Sequence, residues 1–257
     1  MNFWRRFAIC ASFAQISIFL KGKILDFLLN SIEIITALIF GLCFGSFLNV
    51  LILRLPKGES IAFPASHCVS CGKALKFYHN IPLLSFIFLR GKCAFCGAKI
   101  AIQYPLIEAI SGVFALFIYL KFGFSAESIC IGIAILLLLA LSVIDFRFSE
   151  VPDCLNFSAF IFAIIGGLFW HKDFIFVIGS AFAFAGFFTL LRFAFQSFAK
   201  KEALGEGDII IVATMAGVLG WKVAFVAIFL GAVFSIIPLL VLGKNAKIPF
   251  IPFLYAG

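Results

Sequence analysis

Charged residues are scarce in this sequence. Only 12% of its 257 residues are Asp, Glu, Lys or Arg, whereas 64% are hydrophobic. The apolar share of an ordinary soluble domain is ~45–50%, so the composition excludes a soluble globular protein. We expect an all-α protein that crosses the lipid bilayer repeatedly, with about seven to eight transmembrane helices, because it contains that many apolar runs of near-spanning length.

The sequence also lacks the basic surface that nucleic-acid binding requires. Its net charge is +8, but no basic cluster has enough soluble chain around it to bind nucleic acid. Enrichment of Lys and Arg in cytoplasmic loops explains the charge better. With residues 54–103 taken as cytoplasmic, the opposite loops hold only Lys121, Lys172 and Lys222. We therefore expect no nucleic-acid partner.

Apolar runs divide the chain into four parts. Residues 1–31 contain Arg5, Arg6 and a 7–20 run that is short for a span and has no clear signal-peptide cleavage site. They form an extra short helix, an interfacial helix or sequence upstream of the true start. Residues 32–53 are the first transmembrane helix, 54–103 a polar module and 104–257 a membrane-embedded domain. Within that domain we expect spans at 105–120, 128–144, 154–170, 174–198, 209–219 and 223–242.

The polar module contains two CxxC pairs, Cys68–Cys71 and Cys93–Cys96, each followed by a glycine. In a zinc ribbon, such turns direct two thiolates each to one tetrahedral metal ion. We expect a small cytoplasmic zinc-ribbon-like domain with a structural Zn²⁺ held by Cys68, Cys71, Cys93 and Cys96. Disulfides are the alternative, but a reducing cytoplasmic location argues against them. His67 and His79 are expected at the surface, because four thiolates complete the coordination shell.

Two acidic residues stand at the ends of apolar runs. Asp145 closes one run, and Asp208 opens another after Gly205 and Gly207. The run after Asp208 reaches only Leu219, which as a helix rises ~17 Å, about half of a ~30 Å hydrocarbon core. The Gly205–Asp208 backbone is thus expected below the membrane surface, where irregular backbone needs protein or a water-filled cavity around it.

Two such carboxyl groups, if they meet, can share one proton. One then acts as a base toward water while the other donates to a substrate carbonyl, so we expect an aspartyl protease in a membrane. The alternative is a non-enzymatic transporter in which the two acids bind a cation or relay protons.

Three further polar residues have two interpretations each. Asn49 makes an interhelical hydrogen bond or belongs to the site. Glu108 is paired with a loop arginine or belongs to a ligand site. Asp153 is placed to cap the helix that follows it, or it supports the site.

Other motifs occur with these residues in a definite order. They are Gly45-Ser-Phe-Leu-Asn-Val50, Arg54-Leu-Pro56-Lys-Gly-Glu-Ser60, Asn80-Ile-Pro-Leu-Leu-Ser85, Arg90-Gly91, Tyr104-Pro105-Leu-Ile-Glu108, Pro152-Asp153 and Gly205-Glu-Gly-Asp208. With the paired CxxC, they make residues 41–253 similar to the type IV prepilin peptidases, a family of membrane-embedded GxGD aspartyl proteases. Presenilin-like and preflagellin peptidases share the Gly-x-Gly-Asp but lack the paired CxxC loop.

The resemblance implies that Asp145 and Asp208 are the catalytic dyad. We expect Gly205, Gly207, Asp153 and Glu108 as supporting residues. It implies cleavage of the leader of prepilins or pseudopilins after a glycine, at the cytoplasmic face of the bacterial inner membrane. It also implies methylation of the new N-terminus from S-adenosylmethionine.

The sequence departs from the family pattern at two places. Ile210 stands where the family usually has a lysine, and Pro249-Phe250-Ile251-Pro252 replaces the usual Pro-Phe-Gly-Pro. Both acids are present, so the departures bear on substrate preference and methylation rather than on proteolysis.

Overall fold

The computed structural model describes residues 30–199, 205–242 and 251–256. In these ranges the chain is predominantly helical, apart from the turns of the polar module, and forms no β-strand. The segment 1–31, whose role the sequence left open, lies outside the described residues except for its last two.

Within these three ranges, eight α-helices follow one another. They are α1 (30–54), α2 (Leu84–Phe88), α3 (Gln103–Phe122), α4 (Ala126–Phe148), α5 (Asp153–His171), α6 (Phe174–Ala199), α7 (Glu206–Leu242) and α8 (Ile251–Ala256). Short 3₁₀ turns occur at Leu55–Lys57, directly after α1, and at Phe77–Asn80.

Six helices in the described part of the chain, α1 and α3 to α7, are long and apolar enough to cross a membrane. This confirms the predicted all-α polytopic membrane fold. The last two predicted spans, 209–219 and 223–242, both lie in α7. Gly220 interrupts that helix with φ 74° and ψ 162°, a conformation that favours glycine.

Local sequence sets the ends of α4, the helix that carries Asp145. Its first turn is closed by reciprocal hydrogen bonds between Ser125 and Ser128, at 3.0 and 3.1 Å, which satisfy backbone donors that the helix cannot pair internally. At the other end, Ser149 takes a left-handed conformation with φ 52°. The helix therefore stops one turn after Asp145.

The two acidic residues lie beside a common apolar core. Helix α4 packs against α3, α5 and α8, and α7 packs against α5, α6 and α8. Because lipid is as apolar as these side chains, close packing rather than water exclusion holds such helices together. The core joins side chains of four helices, namely Leu48, Ile52, Leu141, Ile144, Ile211, Val212, Ile251 and Leu254.

Helices α1 and α3 approach each other closely at Gly45. A Cβ atom there would lie 2.8 Å from the Cα of Glu108, so only glycine fits without a shift. One turn further on, Asn49 Nδ2 donates to the Tyr104 carbonyl oxygen at 3.1 Å. The predicted interhelical hydrogen bond of Asn49 is confirmed.

Candidate functional site

Asp145 lies near the C-terminal end of α4 and is 8% exposed. Its Oδ2 accepts a hydrogen bond at 3.1 Å from the backbone N–H of Ile251, the first residue of α8. This contact bears on the second departure from the family pattern. The isoleucine uses only its backbone here, and its side chain is buried in the apolar core.

Asp208 lies in the first turn of α7 and is partly buried. Its Oδ2 accepts from the backbone N–H of Gly205 at 3.2 Å, so the turn before the helix orients the carboxyl group. A Cβ atom on Gly207 would lie 2.8 Å from Val151 Cγ1. The absence of a side chain at Gly207 thus lets the start of α7 approach the loop between α4 and α5.

Asp145 and Asp208 are near enough in space for their charges to interact, although the two residues are far apart in sequence. The first segment of α7, from Glu206 to the interruption at Gly220, rises ~20 Å, less than the ~30 Å of a hydrocarbon core. This length agrees with a start of α7 below the membrane surface.

Asn156 was not anticipated from the sequence. It is fully buried in α5, and its Nδ2 donates to the carbonyl oxygen of Gly207 at 2.9 Å. The amide therefore holds the backbone immediately before Asp208. The only trace of this role in the sequence is a polar residue early in an apolar run.

Asp153 does not cap α5, contrary to one prediction. The N-cap is Pro152, which makes no side-chain capping bond, and Asp153 is the first helical residue and exposed. A carboxylate in the first turn still interacts favourably with the helix dipole. A role for Asp153 in the site stays a prediction.

Glu108 has a partner in the loop, but this partner is a backbone N–H group and not the side chain of an arginine, as one interpretation predicted. Its Oε2 accepts from the backbone N–H of Leu83 at 2.8 Å, and the side chain also bonds to that of Ser46. Leu83 has φ 59°, an unusual conformation for a branched residue. Glu108 therefore fastens the polar module to α3.

The four module cysteines form a compact cluster. Their sulfur atoms all lie within 4.8 Å of one another, and Cys68 Sγ is 3.8 Å from Cys96 Sγ. A zinc tetrahedron with ~2.3 Å Zn–S bonds has edges of ~3.8 Å. All four thiols are free, so the structure contains no disulfide between these cysteines, contrary to the alternative interpretation.

Each cysteine pair sits in a similar turn. Gly72 and Gly97 adopt left-handed conformations, φ 69° and 72°, and isolated β-bridges flank the pairs at His67–Ala74 and Lys92–Lys99. This arrangement agrees with the predicted zinc-ribbon-like domain. His67 is exposed, as predicted, whereas His79 is only partly so.

The turns also set the acidity of the thiols. Backbone N–H groups of Cys71 and Ser70 stabilise the Cys68 thiolate and lower its pKa from 9.0 to about 6. The Ala98 N–H favours the Cys96 thiolate, but reduced hydration and bonds to the three other cysteines outweigh it and raise the pKa of Cys96 to about 11. One thiol of the cluster is thus ready to bind a metal as thiolate at neutral pH.

Comparison with known proteins covers both halves of the chain. Residues 39–122 match the bacterial Peptidase A24 N-terminal domain, and residues 132–240 match the type IV leader peptidase family. No solved structure matches the chain.

Several similar proteins are named prepilin leader peptidase/N-methyltransferase, among them two that are 36% identical to this chain. The protein from Myxococcus xanthus is 36% identical over 216 residues, which are 80% of this chain and 63% of the relative. The one from Klebsiella pneumoniae is 36% identical over 198 residues, 71% of this chain and 83% of the relative.

A third relative is the type 4 prepilin-like proteins leader peptide-processing enzyme of Escherichia coli. It is 31% identical over 228 residues, which cover 79% of this chain and 84% of the relative. The transporter alternative finds no support among these matches. The chain therefore belongs to the type IV leader peptidase family.

Proposed function

We propose that this multi-pass membrane protein is an aspartyl endopeptidase that removes the leader peptide of type IV prepilins or pseudopilins. The observation that carries the proposal is the charge interaction between Asp145 of α4 and Asp208 of α7, two acids on separate helices. Membership of the leader peptidase family supports the choice of substrate class.

In the proposed mechanism, one carboxyl group of the dyad is ionised and the other is protonated, because two like charges in a poorly hydrated site do not both ionise readily. The ionised group takes a proton from water, whose oxygen attacks the carbonyl carbon of the scissile peptide. The protonated group donates to the carbonyl oxygen as negative charge develops there. Both acids are suited to either role.

Backbone donors hold both acids in position for this work. The Ile251 N–H binds Oδ2 of Asp145, and the Gly205 N–H binds Oδ2 of Asp208. Fixed groups of this kind lower the barrier by removing the need to orient the catalytic acids during the reaction. Asn156 contributes to this positioning indirectly, because it binds the Gly207 backbone and not a catalytic carboxyl group.

We place the active site at the cytoplasmic face of the bacterial inner membrane, with cleavage after a glycine. The distribution of Lys and Arg supports this orientation, because the segment 54–103 is the most basic soluble part of the chain. The cluster of free thiols in the same segment suits a reducing compartment.

The names of the relatives support a second activity, N-methylation of the new N-terminus. S-adenosylmethionine supplies the methyl group in this chemistry.

We further propose that the four cysteines hold a structural Zn²⁺, which the spacing of their sulfur atoms fits. The metal keeps the polar module folded, and Glu108 links that module to α3.

The test is incubation of the purified full-length protein with a prepilin in detergent, with product masses read by mass spectrometry. We expect a leader cut after glycine and, if the methyl donor is supplied, a gain of ~14 Da on the mature product, the mass of one added CH₂. An intact prepilin, or cleavage at another bond, contradicts the proposal. Cleavage without the mass gain contradicts the methylation alone.

A further inference from the structure

A cavity of about 560 Å³ lies between the end of α1, the cysteine module and the start of α3. Asp145 and Asp208 do not border it, so it is distinct from the proposed peptidase site. Its volume is within the ~300–1,000 Å³ of small-molecule sites. The mechanism described above makes no use of this cavity.

The inner wall of the cavity carries two buried hydrogen-bond acceptors. Asn49 is 2% exposed, and its Oδ1 has no hydrogen-bond partner among the residues described, whereas its Nδ2 is bound to Tyr104 and Gly45. Glu108 is 8% exposed and also borders the cavity. A buried carboxyl group and an unpaired amide oxygen favour a ligand with a positive charge and N–H donors.

The other walls differ from this inner end. Lys57, Lys99 and Glu59 border the cavity and are exposed, so its mouth has groups that can bind an anionic carboxylate or an amine. Phe86 and Leu89 provide apolar surface for a flat ring. A ligand that fits all three regions has a cationic centre, a zwitterionic end and an aromatic part.

We propose that this cavity binds S-adenosylmethionine, with Glu108 and Asn49 next to its sulfonium centre. This inference rests on the proposed function, because N-methylation creates the need for a methyl donor. The ligand matches the cavity in chemical class. Its sulfonium suits the acceptors of the inner wall, its ammonium and carboxylate suit Glu59 and Lys57 or Lys99 at the mouth, and its adenine suits the apolar wall.

The location of the cavity also suits a methyl donor for the peptide that cleavage at the dyad releases. Arg147, two residues after Asp145, donates a hydrogen bond to Gln103, and the next residue, Tyr104, borders the cavity. The end of α4 is therefore joined directly to the cavity wall. Cleavage and methyl-donor binding take place at the same end of the helix bundle.

The test measures binding rather than turnover. Equilibrium dialysis of the full-length protein in detergent gives dissociation constants for S-adenosylmethionine and for S-adenosylhomocysteine, which lacks the sulfonium charge. We expect the wild type to prefer the charged ligand. Glu108→Gln keeps an oxygen for the Leu83 N–H but removes the carboxylate, so it should weaken S-adenosylmethionine binding at least tenfold and bring the two dissociation constants close together.

Two further variants serve as controls for a general loss of structure. Leu89→Trp fills the cavity from the module side and should weaken both ligands alike. Glu127→Gln changes an acid at the opposite end of α4 and should leave both dissociation constants unchanged. A collapse of the preference in Glu108→Gln, with the bound metal retained, cannot arise from unfolding of the module.

The possible failures are distinguishable. A wild type that cleaves prepilin but binds no S-adenosylmethionine overturns this inference alone, as does an unchanged preference in Glu108→Gln or unchanged binding in Leu89→Trp. Binding with the expected variant pattern but no prepilin cleavage overturns the peptidase proposal alone.

Discussion

Asn156 Nδ2 lies 2.9 Å from the carbonyl oxygen of Gly207 and donates a hydrogen bond to it. The bond joins the start of α5 to the first turn of α7, one residue before Asp208. Because Asn156 is fully buried, water cannot replace it as a donor. The position of one proposed catalytic acid thus depends on an amide in a different helix.

Removal of this amide should slow catalysis. Asn156→Ala removes the side-chain donor to the Gly207 carbonyl and lets the first turn of α7 shift, and a displacement of about 1 Å at a catalytic group costs on the order of 10²-fold in rate. We expect kcat for prepilin cleavage to fall by about that factor with a much smaller change in KM. Ser158→Ala is the matched control, because its hydroxyl bonds only to its own helix at Cys154. Equal kcat values for the two variants would show that Asn156 does not position the site.

A side chain at Gly207 should disrupt the same turn by overpacking. Gly207→Ala places Cβ 2.8 Å from Val151 Cγ1 and 2.9 Å from Val151 Cβ, and forced contacts of this kind typically cost ~1–3 kcal/mol. We expect a strong loss of cleavage and a lower thermal midpoint, both partly restored in the double variant with Val151→Gly, which removes every Val151 atom in the contact. Gly179→Ala, which meets nothing within 4 Å, should behave as wild type. No recovery in the double variant would rule out this contact as the cause.

The cysteine cluster should contain one zinc ion per chain. Cys68→Ser removes a ligand and should sharply reduce the zinc found by elemental mass spectrometry, and it should increase proteolysis within residues 58–102. Cys154→Ser, an exposed cysteine outside the cluster, should keep the metal. Purified wild-type protein without stoichiometric zinc contradicts the structural-metal proposal.

The contact of α8 with Asp145 should depend on a backbone N–H and not on a side chain. Ile251→Pro removes that donor and should reduce cleavage at least tenfold. Ile251→Val keeps the donor, so it should cleave normally and lose only ~0.5–1.5 kcal/mol of stability from the trimmed core side chain. Similar activities of the two variants would show that the Ile251 N–H has no role in orienting Asp145.

The sequence predicted the features that depend on local pattern. Apolar runs located the helices, the paired CxxC located the cysteine cluster, and acids at the ends of apolar runs singled out Asp145 and Asp208. The capping prediction for Asp153 was wrong by one residue, because helix ends shift easily by that amount. The last two predicted spans correspond to the two helical segments of α7, which meet at the non-helical residue Gly220.

Contacts between distant segments could not be predicted in this way. Asn156 reaches Gly207, Glu108 reaches Leu83, and Ile251 reaches Asp145, and in every pair one partner is a backbone group. Backbone donors and acceptors are present at nearly every residue, so the sequence does not mark which of them meets a given side chain. Tertiary packing decides that choice.

Isosteric replacement of the two aspartates tests the central claim most directly. Asp145→Asn and Asp208→Asn each keep the shape of the side chain but cannot act as acid or base. Prepilin cleavage in detergent, followed by mass spectrometry, should be abolished in both variants and should stay normal in Glu127→Gln, at the far end of α4. Normal cleavage by either aspartate variant would contradict the dyad and, with it, the proposed mechanism.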